Sequence, residues 1–251
     1  TINKFFNNLS GAWIFYTAFP KIPFISPRFE NIAQFAPLIG LIIGLLQSII
    51  FSLFYGNSWS ISAAVAISMS TGFLMTGGMH IDGLMDTFDG IYADKKKMLT
   101  AMKDSRVGSF GVQALFVITL IQFASLLEIR NQIFLALPIS LLWGRFSTLI
   151  YIDKYEYINE SSKSIPHKET WRGFLKESLL SIVLIFGYYF FAVIFFNDIG
   201  ANCILLLSGT FICLTVPNYL GKRIGGFNGD TCGANTLIVE TLMLFIHAIV
   251  L

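Results

Sequence analysis

Three aspartates recur at helical spacing in residues 77–90: Asp82, Asp86 and Asp89. On an α-helix their carboxylates share one face, in a stripe about 60° wide and roughly 10 Å long. Like charges at this spacing repel one another, so the pattern indicates that a cation lies between them. Mg²⁺ prefers oxygen ligands and commonly combines one or two carboxylates with substrate phosphates. The spacing therefore predicts one or two Mg²⁺ ions held against a diphosphate.

Two glycines, Gly83 and Gly90, lie along one edge of this stripe. Because they lack side chains, they could let a bulky phosphate approach the helix backbone. The alternative is an ordinary acidic, solvated helix whose charges pair with the lysines at 95–97.

A second polar run, residues 102–108, contains Lys103, Asp104 and Arg106. Asp104 could be a fourth metal ligand or a general base. It could also be the ion-pair partner of Lys103 or Arg106, which is a common role for a loop acid. The spacing alone leaves these three roles open.

The third polar run, residues 222–233, is rich in glycine and includes Arg223, Gly225, Gly226 and Asp230. Glycines permit left-handed backbone and exposed N–H groups, which can form an anion-binding nest beside an arginine. A flexible hinge between two helices would use similar residues. Both interpretations stay open at this point.

The composition requires a membrane around these motifs. Of the 251 residues, 55% are hydrophobic and only 13% are charged, whereas a soluble domain has about 25% charged residues. An apolar stretch of roughly 20 residues is long enough to span a bilayer. We therefore predict an all-α, polytopic membrane helical bundle forming one domain over residues 1–251, with an interfacial segment at 1–34. About seven segments reach spanning length: 35–55, 60–78, 109–127, 133–151, 179–196, 201–220 and 233–251.

The basic residues predict the orientation of the bundle. Of 17 Lys and Arg residues, 15 fall in the N-terminal region and in the loops at 79–108, 152–178 and 221–232. Only Arg130 falls in a loop on the other side. The positive-inside rule therefore places the three polar loops in the cytoplasm of a cell-membrane protein. These charges form no single basic stripe, so nucleic acid is not an expected partner.

The remaining ionisable residues carry weaker signals. Arg145 and Glu240 fall within spans, where a charge is costly, so both are expected to face the bundle interior or a wet cavity. His80 lies off the carboxylate stripe, so it could be a metal ligand only if the helix begins after it; the alternative is a role as a helix cap or packing residue. The three cysteines have neither the number nor the spacing of a disulfide framework or thiolate metal site.

The three polar runs together resemble the cobalamin synthase family, the adenosylcobinamide-GDP ribazoletransferases. The resemblance is carried by residues 77–90, 102–108 and 225–230, with weaker similarity at 19–23 and 37–40. It implies an integral membrane enzyme that uses Mg²⁺. Such an enzyme transfers adenosylcobinamide phosphate from its GDP-activated form to α-ribazole or α-ribazole 5′-phosphate and releases GMP.

Attack of a ribose hydroxyl on a diphosphate needs charge neutralised on the phosphate oxygens, which suits the motifs. Asp104 is the candidate base. The metal ligands are then Asp82, Asp86 and Asp89, and the substrate-binding residues are Gly83, Gly90, Lys103, Arg106, Arg223, Gly225, Gly226 and Asp230.

Two other functions also fit an aspartate-rich membrane protein. A CDP-alcohol phosphotransferase would carry Asp-Gly followed by Ala-Arg and a second aspartate pair, and neither of the latter occurs here. A cation-coupled transporter would place the aspartates near the membrane midplane, whereas Asp86 and Asp89 are expected in a loop. The sequence leaves a homodimer open.

Overall fold

The computed structural model describes residues 2–158, 170–196 and 198–251, and within these ranges the chain is helical with a single isolated β-bridge, between Tyr157 and Phe227. Short 3₁₀ turns occupy Ala33–Phe35 and Arg130–Gln132. The α-helices, in chain order, are α1 (Ile2–Tyr16), α2 (Ala36–Gly56), α3 (Ile61–Met75), α4 (Met79–Tyr92), α5 (Met98–Met102), α6 (Ser109–Ile129), α7 (Ile133–Lys154), α8 (Phe174–Phe196), α9 (Ile199–Ile224) and α10 (Gly229–Val250).

Six of these helices are long and apolar enough to cross a membrane: α2, α6, α7, α8, α9 and α10. The pair α3 and α4 passes the same test only when taken together, which raises the number of spans to as many as seven. The predicted all-α, polytopic membrane bundle is therefore confirmed.

The predicted second span, 60–78, differs from the structure. Helix α3 ends at Met75 after 15 residues, and α4 begins at Met79 with its axis turned by 86°. Gly77 and Gly78 cause the turn because both adopt left-handed backbone, with φ of 63° and 73°, which a right-handed helix cannot continue. The aspartate helix is therefore a separate element that leaves the direction of the span.

Helix α7 lies at the centre of the bundle, packed against α2, α8, α9 and α10, and most of its side chains are buried. Inside this core the Nη1 of Arg145 in α7 donates to the Oε1 of Glu240 in α10. Both side chains are almost fully buried. The prediction that these two ions face the bundle interior is confirmed, since pairing reduces the cost of burying each charge.

The polar segments meet at one end of the bundle, in agreement with the distribution of basic residues. Residues 159–169, which include His167 and two of the loop lysines, lie outside the described part of the chain. Three hydrogen bonds join the segments: Asn31 N–H to Thr170 Oγ1, Arg223 Nη2 to the Ile91 carbonyl, and Ile158 N–H to the Phe227 carbonyl.

The N-terminal segment forms helix α1, which has 15 residues and is shorter than a membrane span. The N–H of Ala18, just after α1, donates to the Met75 carbonyl at the end of α3. This contact holds the end of α1 beside the turn that leads into α4. The interfacial position of residues 1–34 stays a prediction.

Candidate functional site

Helix α4 presents the three aspartates of the stripe. The helix is continuous from Met79 to Tyr92, so Asp82, Asp86 and Asp89 share one face as their spacing predicts. The fully buried Leu84 packs against Ala114 of α6 and Ala234 of α10. Apolar packing on one side therefore turns the carboxylates toward the polar end of the bundle.

Two of these carboxylates have like-charged neighbours and, in the part of the chain that the structure describes, no cationic partner. Asp86 is half-buried, and the charges of Asp82, Asp230 and Asp89 all act on it. Within the described ranges neither Asp82 nor Asp86 forms an ion pair. This concentration of negative charge is unfavourable unless a cation compensates it.

The third carboxylate, Asp89, has a structural partner. Its Oδ2 accepts from the Gly108 N–H at 2.9 Å and its Oδ1 accepts from the Gly111 N–H at 2.8 Å. Asp89 thus binds N–H groups at the start of α6, where four backbone donors lack partners within the helix. Each carboxylate oxygen retains a further lone pair, so the prediction that Asp89 binds a metal stays a prediction.

The glycines beside the stripe serve helix packing, and the approach of phosphate to the helix at these positions stays a prediction. A β-carbon at Gly83 would lie 2.6 Å from the carbonyl oxygen of Asp230. One at Gly90 would lie 2.3 Å from the side chain of Met102. Protein atoms therefore fill the space, and Gly83 brings the backbone of α4 against the first turn of α10.

The first turn of α10 supplies a fourth acidic residue. Asn228 caps this helix through a reciprocal pair of hydrogen bonds with Thr231, and Asp230 lies in the first turn beside Asp82. The capping box fixes the start of the helix, whose free N–H groups and dipole favour bound anions. Asp230 is thereby held against the carboxylates of α4.

Two cavities meet at this turn. A bundle cavity of about 490 Å³ is lined by Asp82, Arg145 and Asp230 among other residues. A loop cavity of about 270 Å³ is lined by Lys103 and Asp230. Both cavities share the wall formed by residues 228–230. Ligands bound in the two cavities could therefore both contact Asp230. The volume of the bundle cavity is within the range of small-molecule sites, roughly 300–1,000 Å³, and that of the loop cavity is slightly below it.

The glycine-rich run packs against other segments and does not form an open loop of exposed N–H groups. Gly225, with φ of 90°, ends α9, and a β-carbon at Gly226 would lie 2.5 Å from the Glu156 carbonyl oxygen. Arg223 is exposed, and its Nη2 donates to the Ile91 carbonyl at 2.8 Å. These contacts attach the end of α9 to α4 and to residues 156–158. Phosphate binding by Arg223, Gly225 and Gly226 stays a prediction.

Asp104 and Arg106 pair with each other. Arg106 Nη2 donates to Asp104 Oδ2 at 2.6 Å, and its Nε donates to Oδ1 at 3.0 Å. These side-chain bonds, with a further bond from the Arg106 backbone N–H, lower the pKa of Asp104 to about 2. A carboxyl group with so low a pKa is a weak general base at neutral pH. The structure thus shows the ion-pair role among the three that the sequence leaves open.

Three features of the site escape sequence reasoning. Arg145 lines the bundle cavity, whereas the sequence leaves open whether it faces the packed interior or a cavity. Tyr16 and Phe15 of α1 line the same cavity, and nothing in their spacing indicates this. The cap at Asn228 had a readable signal, since asparagine followed three residues later by threonine precedes an apolar run. His80 is buried at the contact with Gly233 and has the packing role expected of it.

The residues present suit a Mg²⁺ ion that takes only some of its ligands from the protein. Among the described residues, no three His, Cys, Asp or Glu side chains are gathered closely enough to hold a metal by themselves. The charges of Asp82 and Asp230 nevertheless act on Asp86, and none of the three forms an ion pair with another described residue. Mg²⁺ takes few protein ligands and completes its shell with water and phosphate oxygens. Asp82 and Asp86 would supply its protein ligands, and water and substrate phosphate would supply the others.

The comparisons with known proteins decide the family. Residues 8–248 match the family described as cobalamin-5-phosphate synthase. This chain belongs to that family. An adenosylcobinamide-GDP ribazoletransferase from Prochlorococcus marinus strain SARG is 43% identical over 97% of this chain and 96% of its own length. The family predicted from the three polar runs, and with it the prediction of an enzyme, is confirmed.

More distant members cover nearly as much of the chain. A ribazoletransferase of the same name from Prochlorococcus marinus strain MIT 9313 is 37% identical over 97% of this chain and 96% of its own length. One from Caldanaerobacter subterraneus is 33% identical over 88% of this chain and 87% of its own length. No solved structure matches the chain. The cobalamin-5-phosphate synthase match therefore spans α4, the loop with Asp104, and the first turn of α10.

Proposed function

We propose that this chain joins adenosylcobinamide-GDP to α-ribazole or α-ribazole 5′-phosphate, in a Mg²⁺-dependent reaction. The product is adenosylcobalamin or its 5′-phosphate, and GMP leaves. The observation that carries this proposal is the position of Asp230 in the wall shared by two cavities, with Asp82 lining the larger cavity and Asp86 close enough to feel the charge of both. Transfer of a phosphoryl group from one substrate to the other requires that their reacting atoms be held next to each other.

In this reaction the acceptor hydroxyl oxygen forms a bond to the phosphorus attached to the corrinoid. The bond between that phosphorus and the oxygen bridging to the guanosine phosphate breaks, and GMP carries away the electron pair. Lys103, which lines the loop cavity, can bind the diphosphate oxygens there. Mg²⁺, when bound, would neutralise charge developing on the transferred phosphoryl group and the leaving oxygen.

The hydroxyl proton needs an acceptor beside both substrates. Asp230 borders both cavities, whereas Asp104 lies in neither lining and is paired with Arg106. We therefore assign the proton to an Oδ of Asp230, with the sequence-based assignment to Asp104 as the alternative. A larger loss of kcat in Asp104→Asn than in Asp230→Asn would contradict this assignment.

A substrate comparison tests the proposed function. The purified full-length chain in detergent is incubated with Mg²⁺ and α-ribazole, and either adenosylcobinamide-GDP or a CDP-activated lipid with its alcohol acceptor. We expect GMP and joined corrinoid only from the first mixture. Release of CMP from the second mixture and no GMP from the first would favour the lipid phosphotransferase. None of the named relatives has that function.

The proposed location is the cell membrane, with the active site facing the cytoplasm. Of the 17 basic residues, 13 lie in described parts of the segments that meet at the end holding the aspartates, which supports this orientation. Single cysteines placed at Lys96 and Asn57 in a cysteine-free background are labelled from outside sealed cells. We expect label at position 57 alone. Label at position 96 alone would show the opposite orientation, and label at both positions would contradict the predicted arrangement of spans.

A further inference from the structure

We propose that the bundle cavity is the acceptor-nucleoside site and that Arg145 binds the 5′-phosphate of that acceptor. This inference rests on the proposed function and adds to it which cavity holds which substrate. It also names the residue that makes the enzyme prefer a phosphorylated acceptor.

The size and lining of the bundle cavity suit a nucleoside. Its volume of about 490 Å³ is within the range of small-molecule sites, roughly 300–1,000 Å³. It cannot enclose a corrinoid that carries a nucleoside diphosphate, which is a much larger molecule. Phe15, Tyr16, Leu149 and Ile152 form part of its wall and offer aromatic and aliphatic surface to a flat, apolar base. The corrinoid is thus left to the open, loop side of Asp230.

Arg145 lines this cavity with only part of its hydrogen-bonding capacity used. The side chain is 4% exposed, and both of its hydrogen bonds leave from Nη1, to the Leu141 carbonyl and to Glu240. Its buried Nε–H has no partner among the described residues. The edge formed by Nε and Nη2 is the one that binds phosphate through two parallel hydrogen bonds.

A buried donor without a partner is costly, and its position indicates what satisfies it. The free-energy loss is larger for a charged donor than for a neutral one. The hydrogen bonds of Nη1 to Glu240 and to the Leu141 carbonyl fix the orientation of the guanidinium, so that its remaining donors are held in place for a ligand. The family description names a 5-phosphate in its product, which agrees with a phosphorylated acceptor.

The arrangement separates the two phosphorus centres of the reaction. The acceptor phosphate lies at Arg145, and the acceptor hydroxyl lies toward Asp230, where the cavities meet. The diphosphate of the other substrate then lies on the Lys103 side. Each anion has its own cation, so the acceptor phosphate is kept from competing for the carboxylate-bound metal.

The test compares α-ribazole with α-ribazole 5′-phosphate in the wild-type chain and in Arg145→Lys. Lysine keeps a positive charge beside Glu240 but loses the planar, two-donor edge. We expect the preference for the phosphorylated acceptor, measured as the ratio of kcat/KM values, to fall about tenfold or more. A ratio unchanged within twofold, with both acceptors slowed alike, would assign Arg145 a structural role and overturn the inference.

A second variant tests the cavity without touching the ion pair. Ala36→Leu adds volume at the cavity wall and is expected to raise the KM of both acceptors but not that of adenosylcobinamide-GDP. Ala66→Leu, on the exposed face of α3, is the matched control and should change neither value. A raised KM for the corrinoid substrate alone would place that substrate in the cavity instead. Absence of wild-type turnover would defeat the proposed function, whereas normal turnover with these ratios unchanged would defeat only this inference.

Discussion

Replacing Asp82 or Asp86 by asparagine is expected to lower kcat/KM at least about a hundredfold, because several kcal/mol of transition-state stabilisation depend on the bound cation. The amide keeps the shape of the carboxylate but loses its charge. Since like charges surround Asp86, each substitution also removes repulsion from the folded protein. Thermal stability without Mg²⁺ should therefore be unchanged or raised.

The control is Asp94→Asn, which alters an exposed acid two residues after α4. It should leave both kcat/KM and thermal stability at wild-type values. Near-normal kcat/KM for Asp82→Asn or Asp86→Asn at saturating Mg²⁺ would refute the ligand assignment. A loss of turnover matched by a loss of folded protein would instead assign these carboxylates to stability.

Gly83→Ala is expected to damage both stability and catalysis, because the new β-carbon would lie 2.6 Å from the Asp230 carbonyl oxygen and 2.9 Å from its Cα. Both neighbours are backbone atoms, so α4 and α10 must separate. Overpacking of this kind costs about 1–3 kcal/mol of stability. Misplacing a reacting group by roughly 1 Å can cost about a hundredfold in rate. Melting temperature and kcat/KM of the purified variant measure the two effects.

The matched control is Gly187→Ala in the middle of α8, where a β-carbon would meet no atom within 4 Å. That variant should melt at or slightly above the wild-type temperature and keep its kcat/KM. If Gly83→Ala behaves like Gly187→Ala, the contact between α4 and α10 does not position Asp230.

Much of the fold could be predicted because membrane spans depend on length and apolarity alone. Helices α6 and α7, for example, begin within a residue of the predicted boundaries. The turn before α4 was missed because hydropathy continues smoothly from α3 through Met79. Glycine is frequent in membrane helices, so only the φ values of Gly77 and Gly78 reveal the break.

The site was predictable only where helical spacing decides geometry. The shared face of Asp82 and Asp86 follows from a four-residue separation. The contacts that a side chain makes with other helices do not follow from its spacing along its own helix. Asp89 binds the first turn of α6, and the space beside Gly83 is filled by α10, because of tertiary contacts between residues that are distant in sequence.

The loop motifs illustrate the same limit. Asp104 and Arg106 are two residues apart, and the structure shows that they pair with each other. Lys103 instead lines the loop cavity beside Asp230, more than 100 residues away in the chain. The sequence identifies Asp104 and Lys103 alike as candidate site residues. Only the tertiary structure shows that Lys103 lines a cavity with Asp230, whereas Asp104 does not.

The most direct test of the central claim is the stoichiometry of the reaction as a function of Mg²⁺. The purified chain, stripped of metal with EDTA, is supplied with adenosylcobinamide-GDP and α-ribazole, and GMP and joined corrinoid are both counted. Transfer at the carboxylates of α4 predicts no turnover in EDTA, recovery on adding Mg²⁺, and one GMP for each joined corrinoid. Full turnover in EDTA, or GMP released without joined product, would contradict it.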